Sequence, residues 1–217
     1  MSSLGQLPVD PMSRNDIECS MQNYLYQVDP GHLQRPGCLD VEAILDLHIY
    51  KTHKFKKIIS EFIGPNIEAL THPFDNEIEI TTQVQDGIAF CEPRHLFTGC
   101  HEISHVIMHV PQYLAWGEEQ WVSAVARSGF KMQVFRDPEW QAEHGAGVLM
   151  MPASTFIPFV DALNKKGASY DTVIYEITRT YGVSLAAAKV RHKIFYSITS
   201  AKKNPGFVDQ SFFHKLR

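Results

Sequence analysis

The sequence predicts an α+β fold in which a small antiparallel sheet packs against helices. Three observations predict it. Residues 77–82 alternate polar and apolar side chains with the period of a strand that has one wet face. Most of the rest of the chain carries apolar residues at helical spacing behind recognisable caps. One of those helical stretches holds His101-Glu102-Ile103-Ser104-His105, an H-E-x-x-H string.

Residues 1–12, with Pro8 and Pro11, read as a loose, flexible tail. Ser13, with Asp16 in the first turn, starts a helix along which Ile17, Met21 and Leu25 recur. Asp29-Pro30-Gly31 and Pro36-Gly37 break the chain, and Asp40 caps a second helix carrying Val41, Ile44 and Leu45. Residues 55–62 read as a third helix, ended by Gly64-Pro65. After the 77–82 strand, Gln85-Asp86-Gly87 signals a turn and 88–90 a short returning strand, so a hairpin precedes the motif helix. That helix spans 95–109, buries Leu96, Ile103, Val106 and Ile107, and ends at Pro111. Residues 111–137 form a long connection with a helix around 119–128. Asp137 caps and Pro138 opens a helix running to about Met150. Two more follow: one capped by Asp171 and ended by Gly182, the other starting at Ser184. The expected division is a tail (1–12), a domain built around the H-E-x-x-H helix (13–164) and a C-terminal helical subdomain (165–217).

Composition bounds the function. The chain has 217 residues, enough for a substantial core, and its 44% hydrophobic and 20% charged residues are ordinary for a globular protein. A net charge of −4 offers no basic patch, so direct nucleic-acid binding is not expected. The four cysteines (Cys19, Cys38, Cys91, Cys100) lack C-x-x-C spacing, which argues against a zinc ribbon or a redox pair. The N-terminus does not have the basic-then-apolar pattern of a signal peptide, and no run of about 18 apolar residues suggests a membrane span. A reduced cytoplasmic interior is the expected setting.

On a helix, His101 and His105 lie on one face a turn apart and can share one zinc ion at about 2.0–2.1 Å. Glu102 is then placed to take a proton from water rather than to coordinate. A catalytic zinc needs a third ligand. His109 is nearest in sequence, but a continuing helix puts it about 12 Å along the axis from His101, too far to share the ion. Glu139 and Glu143 lie one turn apart on the Pro138 helix, and spacing alone leaves both open as the third ligand. His95 and His144 are candidates for stabilising an oxyanion. For Cys100, a small buried residue is the preferred reading, and for Tyr113, Trp116 and Trp121 core packing is preferred to a groove wall.

Arg94, Phe97, Thr98, His101, Glu102, His105 and His109 fall on the fixed positions of a segment, R-x-x-F-T-x-x-H-E-x-x-H-x-x-x-H, and so resemble the ImmA/IrrE family of metallopeptidases. Residues 139–152, from Glu139 to Met151-Pro152, resemble that family's E-x-x-A-N-x-F/G-A-A-x-L-L-M-P segment. Leu39-Asp40-Val41-Glu42 fits more loosely, and Tyr181-Gly182-Val183-Ser184 with Ala187 resembles its small C-terminal helical element. The resemblance spans roughly residues 14–195. It implies a zincin-like fold and a zinc endopeptidase in which His101, His105 and Glu139 hold the metal and Glu102 is the base. Manganese or iron would also suit those ligands. It further implies a protein substrate, a transcriptional repressor cut at one site in a stress or mobile-element response. Two positions depart from the pattern: Glu143 stands where the family has Asn, and Gly147 where it has Ala. Glu143 is thereby an acid beside the ligand set or a rival ligand. The competing readings are a non-catalytic zinc-binding interaction module and a DNA-binding regulator built on the C-terminal helices.

Overall fold

A computed structural model of the chain describes residues 9–119 and 133–196. Helix α1 (Arg14–Val28) opens with a full capping box, in which the Ser13 and Asp16 side chains each satisfy the other's backbone N–H. Helix α2 (41–53) is capped by Asp40, which accepts from Ala43 N at 2.9 Å, and contains a π turn at Ile44–His48. Three strands follow, β1 (Lys56–Ser60), β2 (Ala69–His72) and β3 (Glu77–Thr81). Seven more α-helices follow among the described residues: α3 (Thr82–Ala89), α4 (Pro93–Met108), α5 (Val110–Trp116), α6 (Pro138–Met150), α7 (Ala153–Lys165), α8 (Tyr170–Tyr181) and α9 (Leu185–Tyr196). The fold is α+β.

The sheet is mixed, not antiparallel. Its order is β1-β3-β2, with β1 parallel and β2 antiparallel to β3. β3 alternates as expected: Ile78 and Ile80 are buried and Glu77 and Glu79 face outward. Two expectations are corrected here. Residues 55–62 form β1 rather than a helix, because Lys54 takes a left-handed conformation that closes α2 and β1 then pairs along β3. The returning strand after residue 85 is instead the end of α3. Thr81 accepts from Val84 N at 3.3 Å as an N-cap, and Val84 and Ile88 bury one helical face. The hairpin beside the motif helix is therefore β2–β3.

Helix α7 was not expected, and α8 is capped by Ser169, with Asp171 in its first turn. Gly182 ends α8 in the left-handed region at φ 63°, where a β-carbon would also stand 2.7 Å from Cys38 Sγ. The helix expected around 119–128 and Trp121 lie outside the described residues. Residues 9–12, the end of the segment read as a tail, are tied down. Val9 is buried, and the N–H groups of Val9 and Met12 donate to Arg136 O and Phe135 O.

A single core runs from Ile17, Met21 and Leu25 of α1 through Ile78 and Ile80 of the sheet to Leu96, Ile103 and Val106 of α4. It continues into Leu149 of α6 and Ile177 of α8. Arg191 of α9 reaches back to α1 with hydrogen bonds of 2.9 and 2.7 Å to the two oxygens of Glu18. Among the described residues no single helix is long and apolar enough to cross a membrane.

Candidate metal centre

The centre lies where α4 and α6 cross, and small residues set how closely they approach. Ala142, Gly145 and Ala146 form a buried small-residue face on α6. At Gly145 the fit is tight, since a β-carbon there would stand 2.6 Å from Ser104 Oγ and 2.8 Å from Ser104 Cβ. Glu139 lies on the same face, a turn before Ala142. It starts from a fixed point, with Asp137 accepting from its backbone N–H at 3.0 Å and Pro138 in the first turn.

His101, His105 and Glu139 converge. Nε2 of His101 lies 3.0 Å from Nε2 of His105 and 3.2 Å from Glu139 Oε2, and His105 Nε2 lies 3.5 Å from Glu139 Oε1. Donors about 2.0–2.1 Å from one tetrahedral ion stand about 3.3 Å from each other. The three separations bracket that value, so the residues present fit a zinc ion. They are the only three-residue group of His, Cys, Asp and Glu of this kind among the described residues.

The two imidazoles sit in different electrostatic surroundings. Burial pulls His101 down, but the Glu139 hydrogen bond and the charges of Glu102, Glu139 and Glu143 outweigh it, leaving a net upward shift. Burial, reinforced by His101 and His109, holds His105 well below the usual histidine range. That shift favours the neutral imidazole, the form that coordinates metal.

Glu102 is buried and accepts a 2.7 Å hydrogen bond from the Thr71 hydroxyl of β2. Burial raises its pKa and Glu139 adds to this, against opposing effects of His101, Thr71 and His72. Glu102, His101 and Glu139 line a groove of about 300 Å³ whose other wall is residues 66–69, leading into the sheet-edge strand β2.

The remaining expected residues fall elsewhere. Glu143 is exposed, lines the groove, and lies outside the converging group. His95 and His144 do not line the groove, because they sit about 120° and 140° round their helices from His101 and Glu139. His95 packs against Gly87, where a β-carbon would overlap its ring, and its Nδ1 is 2.9 Å from Glu92 Oε2. His144 lies against Trp140 with ring centroids 4.5 Å apart. Cys100 is buried, and its thiol pKa is pushed up by that burial. Tyr113 is in the core.

Three participants escaped the sequence reading: Thr71, His109 as a partner of His105, and Gln141. His109 Nδ1 lies 2.9 Å from His105 Nδ1, and its Nε2 lies 3.0 Å from Gln141 Oε1. The signal for His109 was there, since 101, 105 and 109 are successive i+4 positions whose rings stack edge to face at 4.7 and 4.9 Å. Nothing in the sequence pointed to Thr71 or Gln141.

Comparison with known proteins agrees with this architecture. A Mycobacterium tuberculosis transcriptional regulator of known structure superposes on 83% of this chain with a TM-score of 0.50 at 15% identity, a likeness of fold. This chain spans 57% of that protein's length. None of the curated proteins matches. The family model described as the IrrE N-terminal-like domain, Peptidase M78, matches residues 91–193, which hold both motif segments. Over that segment, just under half of its length, the chain is similar to the ImmA/IrrE-type family of peptidase domains.

Proposed function

We propose that this protein is a zinc-dependent endopeptidase that cuts another protein, a transcriptional repressor, at a specific site. The convergence of His101, His105 and Glu139 beside Glu102, on a groove walled by an edge strand, carries the reading. His101, His105 and Glu139 would hold the metal. When bound, zinc supplies a Lewis acid that polarises a carbonyl and brings the pKa of water to about 7.

The protein residues do the rest. The free edge of β2 aligns an extended peptide by strand addition, with residues 66–69 along the groove. Thr71 engages Oε2 of Glu102 and leaves Oε1 to take a proton from water and pass it to the leaving amine nitrogen. Burial lifts Glu102 towards the range in which one carboxyl can act first as base and then as acid. In this reading residues 13–164 are the peptidase domain, and the helices after residue 165 brace it through Arg191 and Glu18. The repressor as substrate rests on the family alone.

The test is Glu102→Gln. Wild-type and variant proteins, loaded with zinc, are incubated with DNA-binding repressors from the same cell and the fragments are read by mass spectrometry. Wild type is expected to give one new pair of termini. The variant should bind zinc as well as wild type and give no fragments. Equal fragments from both would refute the mechanism, and capture of a repressor without cleavage by either would favour a binding module.

A further inference from the structure

We infer that His109 and Gln141 position His105 for metal by fixing its tautomer, an inference that rests on the zinc reading above. The direction is set at the far end of the chain of hydrogen bonds. Gln141 Nε2 donates to two backbone carbonyls, Asp10 O and Phe135 O, each at 2.9 Å. Carbonyls only accept, so the amide cannot be turned over without losing both bonds. Its Oε1 therefore faces His109 Nε2 as an acceptor at 3.0 Å, and that ring nitrogen carries the proton. With one proton on the ring, His109 Nδ1 is a bare lone pair, 2.9 Å from His105 Nδ1. His105 then donates from Nδ1, and its Nε2 is left bare. Nε2 is the atom that meets His101 Nε2 at 3.0 Å and Glu139 Oε1 at 3.5 Å.

Reversing any one link would set two hydrogens or two lone pairs face to face. His105, His109 and Gln141 are all buried, so water is not at hand to repair such a mismatch. The partner of a liganding imidazole is usually a carboxylate, a carbonyl or water. Here it is a second imidazole, anchored through Gln141 to the N-terminal segment at Asp10 and to the turn before α6. His109 is thus a positioning residue rather than a ligand.

The test uses the 217-residue chain stripped of metal. Long-range proton–nitrogen correlation of the imidazoles reads which nitrogen of His105 carries its proton, and competition with a chromophoric chelator reads zinc affinity. Wild-type His105 is expected to be protonated at Nδ1. Gln141→Met removes the anchor without touching a ligand, and should give mixed tautomers at His105 and about 10–100-fold weaker zinc binding. His109→Phe keeps a packed ring, removes the acceptor and should weaken zinc binding by the same factor, so the test survives if Gln141→Met does not fold. A proton on Nε2 of His105 in the metal-free wild type overturns the proposal, as does wild-type tautomer and affinity in a folded variant. A wild type that binds no zinc refutes the reading of the site, not the tautomer chain, which the nitrogen spectra report without metal.

Discussion

Adding one methyl group at Gly145 should loosen the metal centre from a distance. The new β-carbon of Gly145→Ala would stand 2.8 Å from Ser104 Cβ, about 0.6 Å inside ordinary contact at 3.4 Å. Ser104 cannot simply turn aside, because its hydroxyl donates to Cys100 O at 2.8 Å and its β-carbon is fixed by the α4 backbone. Overpacking of this kind costs about 1–3 kcal/mol. Alanine regains up to about 1 kcal/mol of helix propensity over glycine. The net is a loss of up to about 2 kcal/mol, or a Tm lower by up to about 8 °C for a domain of this size. The same separation of α4 from α6 draws Glu139 away from both imidazoles, so zinc affinity should fall on the order of tenfold. Thermal denaturation of the metal-free protein and chelator competition read the two effects separately. Combining Gly145→Ala with Ser104→Gly removes the clashing atoms and should restore zinc affinity while leaving a helix-propensity loss. Wild-type Tm and affinity in Gly145→Ala alone would show that the helix spacing does not control the site.

Three further outcomes are expected. Burial, helped by the charges of Arg14 and Arg191, holds the His144 pKa down to about 4, against about 6.5 for an unfolded histidine. The unfolded chain therefore binds the extra proton first, so stability present above pH 6.5 is lost as pH falls towards 4. The Tm of metal-free His144→Phe should drop less than that of wild type between pH 7 and 5, and an equal drop would contradict this. Arg191→Met leaves the nearly buried Glu18 carboxylate without its guanidinium and should cost about 3–5 kcal/mol, most of it recovered in Glu18→Gln/Arg191→Met. A loss under about 1 kcal/mol by urea denaturation would rule that out. Thr71→Val removes a bond that holds the Glu102 pKa down, so the acid limb of the cleavage rate should move to higher pH. A profile unchanged in position would free Thr71 of that role.

Elements with their own punctuation were legible in the sequence. Ser13 with Asp16, Asp40, Asp137 with Pro138, and Gly182 each act through local backbone geometry, and the helices they bound lie where their caps put them. The errors came where tertiary pairing decides. Phe55, Ile58, Ile59 and Phe62 satisfy helical spacing as well as any helix, but the pairing of β1 with a strand about twenty residues on overrides it. Gly87 was read as a turn, whereas inside α3 it makes room for the His95 ring, a contact no local pattern announces. No helix was expected at α7, which runs through Pro158 with Phe156 and Val160 buried on one face. At the site, the spacing brought forward two imidazoles, a base and two rival carboxylates, and the resemblance pointed to Glu139 over Glu143. Its supporting shell stayed hidden because Thr71 and Gln141 meet their partners across 31 and 32 residues.

The Glu18–Arg191 pair has a consequence for how the protein is made. Glu18 leaves the ribosome 173 residues before its guanidinium partner, roughly 10–35 s at ordinary rates of synthesis. The backbone N–H of Ala153, its other distant partner, arrives only a little sooner. Helices α4 and α6, which carry His101, His105 and Glu139, are both finished before residue 191 exists. Until then α1 must either keep its carboxylate in water or bury it with only the Gln22 amide beside it. Among the described helices the last thus latches the first, and a nascent chain stalled short of Arg191 is left unlatched, open to the proteases that clear incomplete products.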